Sequence, residues 1–173
     1  MATKRFLPRV LLMMPLAFAL GCAPPPSSPP YERLVIDTFM PDNGIDQNDT
    51  FLTLIDAAGN IIAQDDNGNP DQSNHQLCSR IDHQAGLASG TYYIKVHRAT
   101  DTGNPNYCIR LLDHNPGAVF PATPAANETS DTDDAVGANG LPLNPVAIAL
   151  GQVISRSIFP ELTDIDWYTF TLP

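Results

Sequence analysis

Two short apolar runs with acidic flanks, DQNDTFLTLIDAAGNIIAQDDN at residues 46–67, constrain this chain more than any other stretch. The spacing predicts a strand over 50–56, a Gly-containing turn over 57–60, a returning strand over 61–64 and an acidic, Gly/Asn-rich exit loop over 65–70. A two-stranded hairpin buries too little apolar surface to be stable alone in water, so the remaining segments must supply sheets that cover it. The rest of the chain offers more of the same pattern. Strands are predicted over 31–39, 77–83, 91–98, 107–112, 151–159 and 166–172. In TYYIKVHR (91–98), Tyr92, Ile94 and Val96 alternate with Tyr93, Lys95 and His97, giving one dry and one wet face. In YCIRLL (107–112), Tyr107, Ile109 and Leu111 are expected inward, with Cys108 and Arg110 outward. In the segment 166–172, Tyr168, Phe170 and Leu172 oppose Trp167, Thr169 and Thr171. Seventeen prolines, eleven glycines and no long amphipathic helical pattern agree with an all-β fold, an antiparallel β-sandwich of jelly-roll-like type.

Residues 1–21 stand apart. Lys4, Arg5 and Arg9 precede an apolar run from Val10 to Leu20, the layout of a secretory signal peptide. The alternative, a membrane anchor, would need about 20 apolar residues. Ala19-Leu20-Gly21-Cys22 resembles the lipobox of bacterial lipoproteins, although leucine stands two places before the cysteine and not three. The resemblance implies acylation of Cys22, anchoring at the cell envelope, and otherwise secretion. Residues 22–30 then read as a Pro/Ser tether. With Cys22 lipidated, Cys78 and Cys108 remain as one possible disulfide, the alternative being two buried thiols.

Removing residues 1–21 takes away three of nine basic residues and none of nineteen acidic ones, leaving a formal charge of −13. A surface so acidic repels nucleic acid and anionic lipid, which leaves the membrane accessible through the lipid anchor only. Divalent cations are better company.

The segments 49–68, 79–81, 88–97, 107–111 and 151–173 together resemble the bacterial pre-peptidase C-terminal domain, a β-sandwich found beside secreted peptidases. The resemblance implies a non-catalytic binding or accessory module. In that family the part like 128–172 comes first and the part like 31–112 follows; here the order is reversed. Either one sandwich is built from 31–113 and 127–173, joined by a linker over 114–126, or the second part begins another, truncated repeat. The single sandwich predicts that residues 167–172 pair antiparallel with residues 33–39. The linker is also long enough for exchange between copies.

Three acidic clusters suit calcium, which takes six to eight oxygen ligands. The family resemblance, through Glu128-Thr129-Ser130-Asp131-Thr132, points to Asp46, Asp49, Asp65, Asp66, Glu128 and Asp131 as metal ligands. Turn-forming, solubilising residues are the plainer reading. The four histidines show no zinc spacing and the serines no triad context, so no catalytic residues are assigned; Asp164 and Asp166 read as turn chemistry at a strand entrance. Tyr93 and Trp167 are placed on an outward face, where they either hold an envelope or extracellular polymer, protein or polysaccharide, or lie beneath the 135–150 stretch. The alternative role is a structural spacer, or the remnant of a larger secreted peptidase.

Overall fold

The computed structural model describes residues 33–39, 49–68, 77–100, 106–113, 134–158 and 164–173. Nine strands occur in them: β1 (Leu34–Phe39), β2 (Thr50–Asp56), β3 (Ile61–Asp65), β4 (Arg80–His83), β5 (Gly90–Arg98), β6 (Asn106–Leu112), β7 (Val146–Ala147), β8 (Val153–Ser157) and β9 (Ile165–Leu172). They form two sheets, ordered β4-β1-β6-β8 and β3-β2-β5-β9-β7. All pairings are antiparallel except that of β7 with β9. Among the described strands only β2 and β3 are successive and paired as a hairpin; the others alternate between the sheets, so each sheet assembles from segments far apart in sequence.

The hairpin turns where the sequence predicts it. Asp56 accepts hydrogen bonds from the amides of Ala58 (2.9 Å) and Asn60 (2.8 Å) and from Asn60 Nδ2 (2.9 Å). Gly59 takes φ +87°, a conformation that a Cβ would strain. The register slips between Leu54 and Ile55, a bulge that brings Ile55 opposite Ile61.

The two inner faces share one core. Leu34, Ile36, Ile81, Tyr107, Ile109 and Leu111 of the first sheet meet Leu52, Leu54, Tyr92, Ile94, Val96, Tyr168, Phe170 and Leu172 of the second. The alternation expected for β5 and β9 is present on this inner side. At about 1.5–3 kcal/mol for each fully buried large apolar side chain, this layer is the main favourable contribution to folding.

Residues 134–173 complete the same body as residues 33–113, with β8 on the edge of the first sheet and β9 inside the second. The pairing, however, differs from expectation. Both edges of β1 are taken, by β4 and β6, and β9 instead lies along β5, with Gly90 opposite Leu172 and His97 opposite Ile165. β5 offers an alternating apolar face that matches Tyr168, Phe170 and Leu172 on the same side of the sheet.

The expected disulfide is also corrected. Cys78 and Cys108 are buried thiols, each 1% exposed, not joined to one another. Phe39 pairs with Cys108 on the β6 side, while the bond from Thr38 N to Ser79 O puts Cys78 level with Phe39 on the β4 side. Two strand spacings, about 9–10 Å, therefore separate the cysteines, beyond the roughly 7 Å that a disulfide bridges. Burial, with the charges of Asp37 and Asp49, pushes the Cys78 thiol up to about 12. Denatured without reductant, both thiols should react with a maleimide counted by mass, and reductant should leave the melting temperature unchanged; a protected pair released only by reductant would contradict this geometry.

Candidate functional site

Three groups of polar side chains lie among the strands. The first bridges the sheets. Tyr107, fully buried on β6, donates its hydroxyl proton to Asp166 Oδ2 at 2.5 Å and lies 2.6 Å from the Tyr168 hydroxyl. A phenol carries one proton, so Tyr168 is the donor in the second bond. Burial, then the neighbouring Tyr168 and Asp166, push the Tyr107 phenol well above its ordinary value, which keeps it a donor. Arg156 of β8 stands over the Tyr168 ring, 5.7 Å from its centroid. Asp166 is thus no turn residue at a strand entrance but an inward position of β9, 1% exposed.

The second group lies on the other face of the first sheet. Asp37 is the register partner of both Arg80 and Arg110. Its carboxylate meets Arg110 Nη2 at 2.6 Å and Nε at 2.7 Å, and Arg80 Nε at 2.9 Å. Arg110, on the outward side as its alternation with Tyr107, Ile109 and Leu111 predicts, is nevertheless 2% exposed, and Asp37 is fully buried. Arg110 also stacks over Phe39, 5.7 Å from the ring centroid. The signal for this triad in the sequence is a charge at an outward position of each of three strands, Asp37 in LVIDTF, Arg80 in RIDH and Arg110 in YCIRLL.

The third group holds the acidic candidates. Thr38, Thr50 and Ser79 hydroxyls form a buried cluster joining β1, β2 and the approach to β4, with Thr38 Oγ1 and Thr50 Oγ1 2.6 Å apart and Ser79 N donating to Thr38 Oγ1 at 2.9 Å. Ser79 Oγ also donates to the carbonyls of Thr50 and Asp66. Beside this cluster Asp49 is 5% exposed, and its Oδ1 accepts no hydrogen bond from the described residues. A buried carboxylate oxygen left open in this way fits a hard cation. Asp65 is committed differently: it accepts the amide of Arg80 at 2.8 Å, as well as those of Gly68 and Asn67. Burial raises its carboxyl above the usual range, and the backbone bonds oppose that shift. A Cβ on Gly68 would come within 2.6–2.9 Å of this carboxylate, so the close approach requires glycine there. Asp66 contributes its carbonyl to Ser79. Cys22, Asp46, Glu128 and Asp131 lie outside the described residues, and among those described no three acidic, histidine or cysteine side chains form a metal-binding group.

The outer face of the second sheet carries Tyr93 and Trp167. Tyr93 is half-buried, but Trp167 is 3% exposed, because Leu141 packs on it and on Ile55. Leu141 belongs to a strap over residues 134–143, closed by Gly137 N to Leu141 O (2.8 Å) and Leu143 N to Ala135 O (2.8 Å). Asp134 Oδ1 pins it to β9 by accepting the Ile165 amide at 2.9 Å. Lys95 Nζ lies 6.0 Å from the Trp167 ring centroid. Trp167 thus stands on the outward face that alternation gives it, and of the two readings offered for it the second holds: the strap, within 135–150, covers it. Phe51 and His97, cross-strand partners on this face, stack with centroids 5.0 Å apart. At the far edge, a hollow of about 310 Å³ is lined by Leu111, Ile148, Leu150, Phe170, Thr169 and Thr171, among others, with no titratable group in its lining.

Breaking either buried network by removing one member should cost more than a surface change. Asp37→Asn should destabilise by about 3–5 kcal/mol, because two guanidinium groups lose their counter-charge. Tyr107→Phe should cost about 1.5–3 kcal/mol through the donor lost to a carboxylate. Both are read from denaturant midpoints at unchanged slope, and a cost under about 0.5 kcal/mol for Asp37→Asn would remove the triad from the account. Comparison of the chain with family models, with curated proteins and with solved structures finds no match.

Proposed function

We propose that this chain is an exported, non-catalytic β-sandwich module of the pre-peptidase C-terminal type, lipid-anchored through Cys22 and acting as a binding or accessory module at the cell envelope. The observation that carries the reading is architectural. The two parts of the sequence that bear the resemblance, within 49–112 and 151–173, form one two-sheet body whose core both parts fill. Its strongly placed polar groups, Asp37 with two arginines and Asp166 with two tyrosines, are enclosed and engaged with one another, which suits a role in holding the sheets together.

Calcium is the ion we assign to it. Asp49, with its open buried oxygen, is the described residue best suited to hold the ion; Asp46, Asp66, Glu128 and Asp131 are the further ligands that the sequence offers, while Asp65 is engaged by backbone amides. Bound calcium would stabilise the folded state by mass action, since the unfolded chain has no formed site. The enclosure of Trp167 favours a second reading, a structural spacer, because among the described residues it leaves Tyr93 without an exposed aromatic neighbour beside it.

Chelated protein should gain several degrees in melting temperature on addition of millimolar calcium, and Asp49→Asn should abolish the gain. An unchanged melting temperature in the parent would sink the calcium assignment. Retention of the chain on envelope polymers, lost in Tyr93→Ala, distinguishes binding module from spacer. Incorporation of labelled fatty acid, lost in Cys22→Ser, tests the anchor.

A further inference from the structure

β7 stays beside β9 only briefly. Val146 lies opposite Tyr168 and Ala147 opposite Thr169, and one further bond follows, from Ile148 N to Thr169 O at 2.9 Å. The chain then crosses to the first sheet, through a turn in which Gln152 N donates to Ala149 O (3.0 Å) and Ala149 N to Gln152 Oε1 (2.8 Å). Gly151 N there reaches Leu111 O at 2.7 Å. β9 runs on to Leu172 without this neighbour. Along a strand the backbone groups of successive residues point to alternate edges. Thr169 turns its carbonyl to the β7 side, so Thr171, two residues on, directs its N–H and C=O the same way. Among the described residues no partner takes them.

Beside that open edge lies the hollow of about 310 Å³. Leu111, Ile148 and Phe170, all buried, line its depth, and exposed Ala147, Ala149 and Thr171 its rim. Because Leu111 and Phe170 stand on the two inner faces, the hollow belongs to the gap between the sheets. It is larger than the cavity of about 150 Å³ that accepts a benzene molecule. With no titratable group in the lining, a charge entering it would lose its hydration without compensation. The two features together select the ligand. A hydrocarbon fills an apolar hollow but leaves a strand edge unpaired, whereas a peptide strand satisfies both. We propose that the end of β9 and this hollow form a docking site for an extended peptide. The peptide adds to the sheet where β7 leaves it, pairs its backbone with Thr171, and places one uncharged apolar side chain, of leucine or phenylalanine size, in the hollow. Alternation along the added strand sends that side chain inward and leaves its two neighbours in solvent. Main-chain bonds then give affinity, and the hollow gives preference at a single position. The site is separate from the Tyr93 face and needs no anchor at Cys22.

The test titrates the full chain, carrying Cys22→Ser, with blocked tripeptides in which a central alanine, leucine, phenylalanine or aspartate stands between two serines. Binding is read from the amide resonances of Thr171 and Ile148. The leucine and phenylalanine peptides should bind about tenfold to a hundredfold more tightly than the alanine peptide, and the aspartate peptide should not bind. Thr171→Pro removes the edge N–H, and since that group faces away from β5 the β5–β9 ladder keeps its bonds. Its melting temperature should match the parent's while the leucine peptide binds about threefold to tenfold more weakly. Ala149→Trp, at the exposed rim, should fill the hollow and erase the preference for leucine over alanine. n-Hexanol probes the rival occupant, an alkyl chain. Hexanol binding as tightly as the leucine peptide, with Thr171→Pro affecting neither, assigns the hollow to alkyl chains and overturns peptide docking. Equal affinity for the alanine and leucine peptides, or no shift with any of them, overturns it as well.

Discussion

The hydroxyl of Tyr107, bonded to Asp166 on the facing sheet, ties together two parts of the chain that nothing in local sequence would bring into contact. Around it the core closes: Tyr168 donates to the same oxygen, Arg156 covers the Tyr168 ring, and the apolar faces of β5, β6 and β9 pack on one another. Apolar burial supplies most of the stabilisation, but it is indifferent to a slip of register by two residues. A buried phenol and carboxylate are not, because a slip would strand both without a partner in a low-dielectric interior. The polar contact thus selects one alignment among several of similar apolar content.

Asp37 does for the first sheet what Tyr107 does between sheets. Standing between β4 and β6, it faces an arginine across each ladder. A buried ionic triad is seldom the most stabilising way to fill such a space, since desolvation of three charges offsets much of their attraction. Its effect is to fix strand order: moving either neighbour by one residue would turn an arginine to the inner face. The same sheet places Phe39 between the two cysteines, and strand order therefore decides their redox chemistry as well.

Strand positions and the inner face were legible in the sequence because both depend on alternation within a segment. β2 begins and ends where the pattern predicts, and Tyr92, Ile94, Val96, Tyr168, Phe170 and Leu172 turn inward as their spacing requires. Pairing was less legible. The choice of β5 over β1 as the neighbour of β9 depends on which edges other strands have already taken, and no local pattern carries that information. Arg110 and Trp167 stand on the outer faces that alternation assigns them, yet both are buried. Alternation separates two faces of a strand but does not say whether the outer face is wet, and here the outer positions are buried, Trp167 beneath the strap and Arg110 against Asp37. The short parallel strand β7 has only two residues, too few to leave a periodic signal. Of the acidic candidates, Asp49 and Asp65 look alike in sequence; only folding commits one to backbone amides and leaves the other with an open oxygen.

The position of β9 inside the five-stranded sheet also governs when folding can occur. β5 and β9 are separated by about seventy residues in sequence, so a chain emerging from the ribosome has made β1 to β6 long before the strand that completes their sheet exists. Contacts this distant make for slow folding. Until residue 172 has been synthesised, the core lacks Tyr168, Phe170 and Leu172. The last described strand is thus one that lies inside the five-stranded sheet, and the common core is complete only once β9 has been made.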